Sequence, residues 1–424
     1  MGASATSKGT RSEPAARVLV TDGSSLSARQ VITALGRRGA VVDVVDPSSM
    51  PLGRFSRFVR AVHRVPAYGS DPWGWFDATL KVLARVRHDV LLPVHEQTAV
   101  LARAPEPVRE LGVGLAVPAF DALRRVQDKA NASETLRRAG LKQPATRIAT
   151  TAAEVTALGD ELPLYLKARI GTATAGVFYA TDATSLETAT SQLLEQLAFE
   201  HGGVLVQQPL EGELVMAQAV FDGGVLVAHH ANLRARPGAS GGASHKRSVS
   251  IPGLTQELEA LGRELRWHGA LSLDAIRTED GLHYIDVNPR LVEPGNAERA
   301  GVDLVGALLD LARGRAVEPG PAGRAGVGTH QLLIAILGAA ETGRGRRGVA
   351  SELAQAVLHR GDYAGSREEL TPVTEDPKAA LPLGAMAAAL LAKPEAHKQF
   401  TGGAIAGYAL TARGWREICA GRAG

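Results

Sequence analysis

The chain is 424 residues long, 45% hydrophobic, 21% charged and only 4% aromatic. That apolar share excludes a chain disordered throughout, and the length predicts two or three packed units. Forty-seven basic residues against 44 acidic ones leave a net charge of +3, too near balance for a dedicated nucleic-acid binder, and a single cysteine, Cys419, excludes a disulfide scaffold or a cysteine-built zinc cluster.

Residues 1–16 are small and polar with no apolar signal segment, and read as a disordered tail. No run reaches the roughly 20 apolar residues of a bilayer span. A cytoplasmic protein without a membrane partner is expected. The run from Arg17 through Val20 reads as a buried strand entering the loop Thr21-Asp-Gly-Ser-Ser25. A helix over 28–39, a strand over 40–45, a helix over 77–87 and a strand over 89–94 follow. This β-α-β alternation predicts a parallel sheet with helices on both faces. A boundary falls near Pro118.

Beyond it the pattern predicts a helix over 128–140, strands over 164–168 and 176–180, a helix over 184–199 and a strand over 204–208. A hairpin pairs 213–221 with 225–231 across Asp222-Gly-Gly224. Residues 234–250 mix Gly and Ser with basic residues and read as a long flexible loop. A helix over 256–268, strands over 271–276 and 283–287, and a helix over 302–313 complete this part. Residues 319–329 read as a linker, and the remainder as mostly helical.

The strongest chemical signal is Asp274 with Asp286-Val-Asn288-Pro-Arg290. Residues i and i+2 of a strand share a face, so Asp286 and Asn288 point the same way. A three-residue hairpin loop would set Asp274 opposite Asp286; a two-residue loop would put them on opposite faces. Opposed carboxylates beside an amide oxygen suit a hard cation such as Mg²⁺. Lys129 and Lys167 stand out in a lysine-poor chain. Lys167 ends an apolar strand before a small-residue loop, a plausible phosphate cradle, although a lone lysine is more often a surface side chain. The stretch Val206-Gln-Gln-Pro-Leu-Glu-Gly-Glu213 is a strand stopped by proline. There Gln207 could accept from a purine amine and Glu213 could bind ribose hydroxyls. There is no P-loop, no dinucleotide fingerprint and no nucleophile elbow.

Taken in order and spacing, these residues resemble the ATP-grasp superfamily from about Arg17 to Arg313. The resemblance implies an α/β and α+β architecture: an N-terminal parallel-sheet domain (17–117) and a two-lobed ATP-grasp domain (118–318). The small lobe would span about 130–206, the large lobe about 207–318, and a mostly helical extension 319–424. It implies ATP as cosubstrate with two Mg²⁺ ions, Mn²⁺ being an alternative. Lys129, Lys167, Gln207, Gln208, Leu210, Glu213, Gly171 and Gly176 would bind the nucleotide, the last two bounding a phosphate-covering loop. Asp274, Asp286 and Asn288 would hold metal. Arg290, Lys167 and Asp286 would carry the chemistry, and Arg234, Arg236, Ser244, His245 and Lys246 would hold a substrate carboxylate.

The implied reaction joins a small-molecule carboxylate to an amine through an acyl phosphate, releasing ADP and phosphate. The alternatives are a carboxylase or another carboxyl- or enol-activating enzyme, and a catalytically silent ATP-binding regulatory module. No nucleic-acid partner is implied; a homodimer is compatible with the extension.

Overall fold

The structure, a computed structural model, describes residues 15–172, 176–402 and 405–422. The expected tail up to residue 14 and the centre of the small-residue loop, 173–175, lie outside the described residues.

The first unit runs β1 (Arg17–Val20), α1 (Leu26–Arg37), β2 (Val41–Asp46), β3 (Val59–Arg64), α2 (Pro72–Arg85), β4 (Val90–Leu92), α3 (Thr98–Arg103) and α4 (Glu106–Glu110). Its four strands are all parallel, in the order β3-β2-β1-β4. Alternate side chains feed two cores. Val18, Val20, Val42, Val44, Val90 and Leu92 pack with Val31, Ile32 and Leu35 of α1. Leu19, Val45 and Leu91 pack with Trp75, Phe76 and Leu83 of α2. Near-continuous apolar strands are what a parallel sheet covered on both faces requires. The edge strand β3 was not anticipated, because Val59-Arg-Ala-Val-His-Arg64 carries no regular apolar–polar alternation and is only half-buried.

Two helices lead into the small lobe: α5 (Phe120–Gln127) and α6 (Lys129–Arg138). The single helix expected over 128–140 begins where Asp128 caps α6, its side chain accepting from the backbone N–H of Ala130 and Asn131. The small lobe contains β5 (Thr146–Ala149), α7 (Ala152–Thr156), β6 (Leu164–Ala168), β7 (Val177–Ala180), α8 (Ala183–Glu195) and β8 (Val204–Gln207). Its antiparallel sheet runs β5-β8-β6-β7.

The large lobe has β9 (Glu213–Asp222), β10 (Val225–Pro237), β11 (Ala243–Ser248), α9 (Leu254–Leu265), β12 (Gly269–Thr278), β13 (Gly281–Asn288), α10 (Gly295–Ala300) and α11 (Leu304–Ala312). The expected flexible loop over 234–250 is corrected here. Its first part extends β10 to Pro237 and its second is β11, which pairs antiparallel with β10 through two register shifts, on either side of Arg236. The segment folds because the charge that made it look solvated is met by acids distant in sequence.

The chain closes with β14 (Gly328–His330), α12 (Leu332–Glu341), α13 (Gly345–Val357), β15 (Arg367–Glu368), α14 (Ala380–Ala392), α15 (His397–Gly402), α16 (Ile405–Tyr408) and α17 (Ala412–Ala420). This region is mostly helical, but β14 and β15 complete the large sheet, β13-β12-β9-β10-β11-β14-β15. Leu410, Trp415 and Ile418 join the core beneath α2. No helix among the described residues is long and apolar enough to cross a membrane.

Candidate active site

The site forms where β6 and β8 of the small lobe face β12 and β13 of the large one. The hairpin between β12 and β13 closes with two loop residues, since Thr278 pairs with Gly281. By that count alone, Asp274 and Asp286 would lie on opposite faces. A β-bulge at Ile285 restores the match: Ala275 pairs with Tyr284, while Asp274 pairs with Asp286 and Ser272 with Asn288. The expected opposition of Asp274 and Asp286 therefore holds, through a bulge rather than a three-residue loop. The bulge also frees the Ile285 carbonyl, which accepts from Lys167 Nζ at 2.9 Å.

Lys167 is buried, and its Nζ also donates to Gln207 Oε1 at 2.7 Å. Burial lowers it to about 8, with Asp286 opposing that shift and Lys129 reinforcing it. Gln207 Nε2 donates to Thr146 Oγ1 at 3.0 Å, so both ends of the amide are engaged within the protein. Lys129, first residue of α6, donates to Asp286 Oδ1 at 3.0 Å. Asp274 is pushed up to about 7 by burial and by Asp286. Burial would raise Asp286 too, but Lys129 and Lys167 hold its carboxyl below the usual range. Two opposed carboxyls of which one tends to keep its proton form a donor set that a divalent cation fits, because the cation would replace that proton.

Asn288 Oδ1 accepts from Arg290 Nη1 at 2.7 Å, and the same guanidinium lies 3.1 Å from Glu96 Oε1. Arg290 and Glu96 are 7% and 2% exposed, so this pair is closed off from water. Glu96 Oε2 accepts from Gln127 Nε2 at 3.1 Å. His95 is buried beside them, and burial followed by Arg290 keeps its imidazole neutral. Glu96, His95 and Gln127 were not singled out from the sequence. Their signal was positional: His95 and Glu96 follow the carboxyl end of a parallel strand, where open α/β sheets place ligands.

Of the other nucleotide candidates, Gln208 N donates to the Ala145 carbonyl at 3.0 Å, and Leu210 is half-buried just beyond β8. Glu213 is exposed and paired with Arg277 on the neighbouring strand. Gly171 and Gly176 flank the residues outside the described set. Gly176 has φ +78°, and an added Cβ would lie 2.9 Å from Ala168 Cβ.

The five substrate candidates do not converge on one spot. His245 pairs with His330 across β11 and β14, and both rings pack on Tyr363. Burial and Arg236 lower His245 to about 4. Arg236 reaches Glu352 at 2.6 Å and Asp362 at 3.0 Å on that same side. Lys246, the next residue along, points to the other face and sits 2.6 Å from both Glu293 and Glu369. Ser244 accepts from Arg236 Nε at 3.2 Å, and Arg234 is exposed with Nη1 on the Gly241 carbonyl at 2.8 Å.

A trio on the N-terminal sheet, Asp43, His63 and His88, brings its potential ligand atoms within 4.8 Å of one another. Arg60 donates to both oxygens of Asp43, so that carboxylate already has its countercharge.

No family model matches the chain. It is 30% identical over 214 residues to the uncharacterized protein y4rH of Sinorhizobium fredii, a match covering 46% of this chain and 44% of that one. The match thus spans less than half the length of that relative. Among solved structures, the biotin carboxylase domain of Hydrogenobacter thermophilus 2-oxoglutarate carboxylase, in complex with MgADP, ADP and bicarbonate, superposes with a TM-score of 0.58 at 19% identity. That likeness covers 74% of this chain and 73% of the other. An L-amino acid ligase from Bacillus licheniformis gives a TM-score of 0.52 at 14% identity, covering 71% and 75%. The chain has the ATP-grasp fold.

Proposed function

We propose that the protein is an ATP-dependent carboxylate–amine ligase working through an acyl phosphate. The observation that carries this reading is the opposition of Asp274 and Asp286, with Lys129 and Lys167 beside them and the buried Arg290–Glu96 pair next in line. The nucleotide lies between the lobes. Lys129 and Lys167 take its phosphates, Leu210 offers backbone to the adenine, Gln207 and Gln208 flank it, and Glu213 exchanges Arg277 for ribose hydroxyls. Asp274, Asp286 and Asn288 would hold Mg²⁺, which when bound would supply charge neutralisation for the transfer.

A substrate carboxylate oxygen attacks the γ-phosphorus. The new C–O–P linkage forms as the bond to the β-phosphate oxygen breaks, and ADP leaves. The amine nitrogen then attacks the acyl carbon, phosphate departs with the bonding pair, and the amine loses its proton. Arg290 faces the group in transfer and offsets its charge, which in a site closed to water is worth far more than in solution. Lys167 and Asp286 orient the transfer.

The ligase among the structural neighbours supports this reading. The carboxylase complex with MgADP and bicarbonate favours a second one, in which bicarbonate is the carboxylate activated. The test is ADP and phosphate release with Mg²⁺ and pooled amino acids and small acids, with and without bicarbonate. Product formation only with particular acid and amine pairs sustains the ligase; strict bicarbonate dependence replaces it with the carboxylase.

A further inference from the structure

The sequence leaves the C-terminal region without a role, yet residues 407–411 run along the edge of the reaction centre. The Gly407 carbonyl accepts from Tyr68 N at 3.0 Å, and a Cβ on Gly407 would stand 3.1 Å from Pro47 Cγ, at the carboxyl end of β2. The Tyr408 ring stacks on His95 with centroids 3.9 Å apart and planes 28° apart. Leu410 N donates to Thr172 Oγ1 at 3.1 Å, where the small-lobe loop begins. Thr411 Oγ1 donates to the Gly69 carbonyl at 3.2 Å and caps α17, whose Trp415 and Ile418 are buried in the main core. The stretch therefore crosses the ligand-binding edge of the parallel sheet and reaches the other lobe, anchored by a packed helix.

What lies beneath it is polar and incompletely satisfied. His95 Nδ1, Gln127 Oε1 and Arg290 Nε are buried without a hydrogen-bond partner. All three belong to residues at or next to the Glu96–Arg290 pair. Buried polar groups without partners mark a place for a polar ligand, since leaving them bare is costly. Tyr408 is buried among charges of the same centre, Asp22, Arg290, Glu293 and Glu96, and its hydroxyl is pushed well above its usual range.

We infer that Tyr408 is the cover of the acyl-transfer centre: stacked on His95, it keeps water from the place where the activated carboxylate waits for the amine. The inference rests on the ligase reading for its chemistry. An acyl phosphate is hydrolysed by water, so a ligase of this kind needs a closed wall on the side away from the nucleotide. Tyr408 is a positioning residue that acts through His95, and the Leu410–Thr172 contact ties the cover to the phosphate side of the cleft.

Two readouts test it. The first is carbethoxylation of His95 by diethyl pyrocarbonate, followed by peptide mass spectrometry on the full chain. Tyr408→Ala should raise the rate at His95 by on the order of tenfold, through loss of local protection. Tyr408→Phe, which keeps the stacked ring, should stay at the wild-type rate. If the alanine variant does not fold, Tyr408→Leu serves in its place. A His95 as protected in the variant as in the wild type overturns the cover. The second is the ratio of ADP to amide formed with an active substrate pair. Wild type and Tyr408→Phe should make one for one, and Tyr408→Ala should make ADP in several-fold excess. A ratio unchanged in Tyr408→Ala overturns the inference. Failure of the ligase reading itself appears earlier, as no substrate-dependent ADP in the wild type, and the His95 arm still decides whether Tyr408 covers the centre.

Discussion

Replacing Lys167 by methionine separates what this lysine costs the fold from what it gives the site. Burial takes its ammonium from an ordinary 10.5 to about 8. At about 1.4 kcal/mol for each pH unit, the charged form is disfavoured in the folded state by about 3 kcal/mol at neutral pH. Between pH 8 and 10.5 the unfolded chain still binds the proton and the folded chain has released it. Stability of the wild type should therefore rise through that window, and the penalty is fully present below it. Methionine has similar length and no charge, so it removes the penalty. It also strands Gln207 Oε1 and the Ile285 carbonyl, which costs about 1–3 kcal/mol each. The net change at pH 7 should lie between about 1 kcal/mol of gain and 3 kcal/mol of loss. Nucleotide binding has no such offset: saturation with MgATP at a hundredfold excess over Kd should stabilise the wild type by about 2.7 kcal/mol and the variant far less. Denaturant midpoints for both proteins at pH 7 and pH 10, with and without MgATP, measure all of this. The stability difference between the two should move by about 2–3 kcal/mol between those pH values, in favour of the wild type at pH 10. Parallel behaviour of the two proteins would mean that Lys167 is solvated, and an unchanged response to MgATP would remove it from the phosphate site.

Asp286→Asn removes the carboxylate that opposes Asp274 and pairs with Lys129, and should lower the initial rate of ADP formation by about 10²–10³; near-normal rates would contradict the metal assignment. Glu96→Gln removes the buried carboxylate paired with the Arg290 guanidinium, and calorimetry should find the protein less stable by about 3–5 kcal/mol; a loss below about 1 kcal/mol would mean that the pair is open to solvent. Lys246→Met leaves Glu293 and Glu369 facing each other without the cation between them. Its melting temperature at pH 7 should fall by several degrees, and a melting temperature equal to the wild type would show that the two acids find another partner.

The parallel sheet was legible because its strands are apolar on both faces and its helices carry caps and basic last turns. The pairing of Asp286 with Asn288 on one face was legible because residues i and i+2 of a strand point the same way. The opposition of Asp286 to Asp274 rests on a bulge at Ile285 of β13, where the buried positions step from Tyr284 to Val287; because Ile285 is itself apolar, the residue types do not mark that change of phase. Strand β11 was hidden by its composition, Ala-Ser-His-Lys-Arg-Ser, which resembles a solvated loop. Its lysine is buried because Glu293 and Glu369, 47 and 123 residues away, meet Lys246. Glu96 and Tyr408 escaped notice for a similar reason: their partners Arg290 and His95 are distant in sequence, and neither sits in a spaced motif.

Nucleotide product analysis with Mg²⁺, a pooled panel of carboxylates and amines, and the Asp286→Asn variant in parallel decides whether this protein is a ligase. A ligase forms ADP and phosphate only when an acid and an amine are both present, and chelation abolishes the products, which are nearly absent in the variant. AMP and pyrophosphate as the products would contradict the ligase reading.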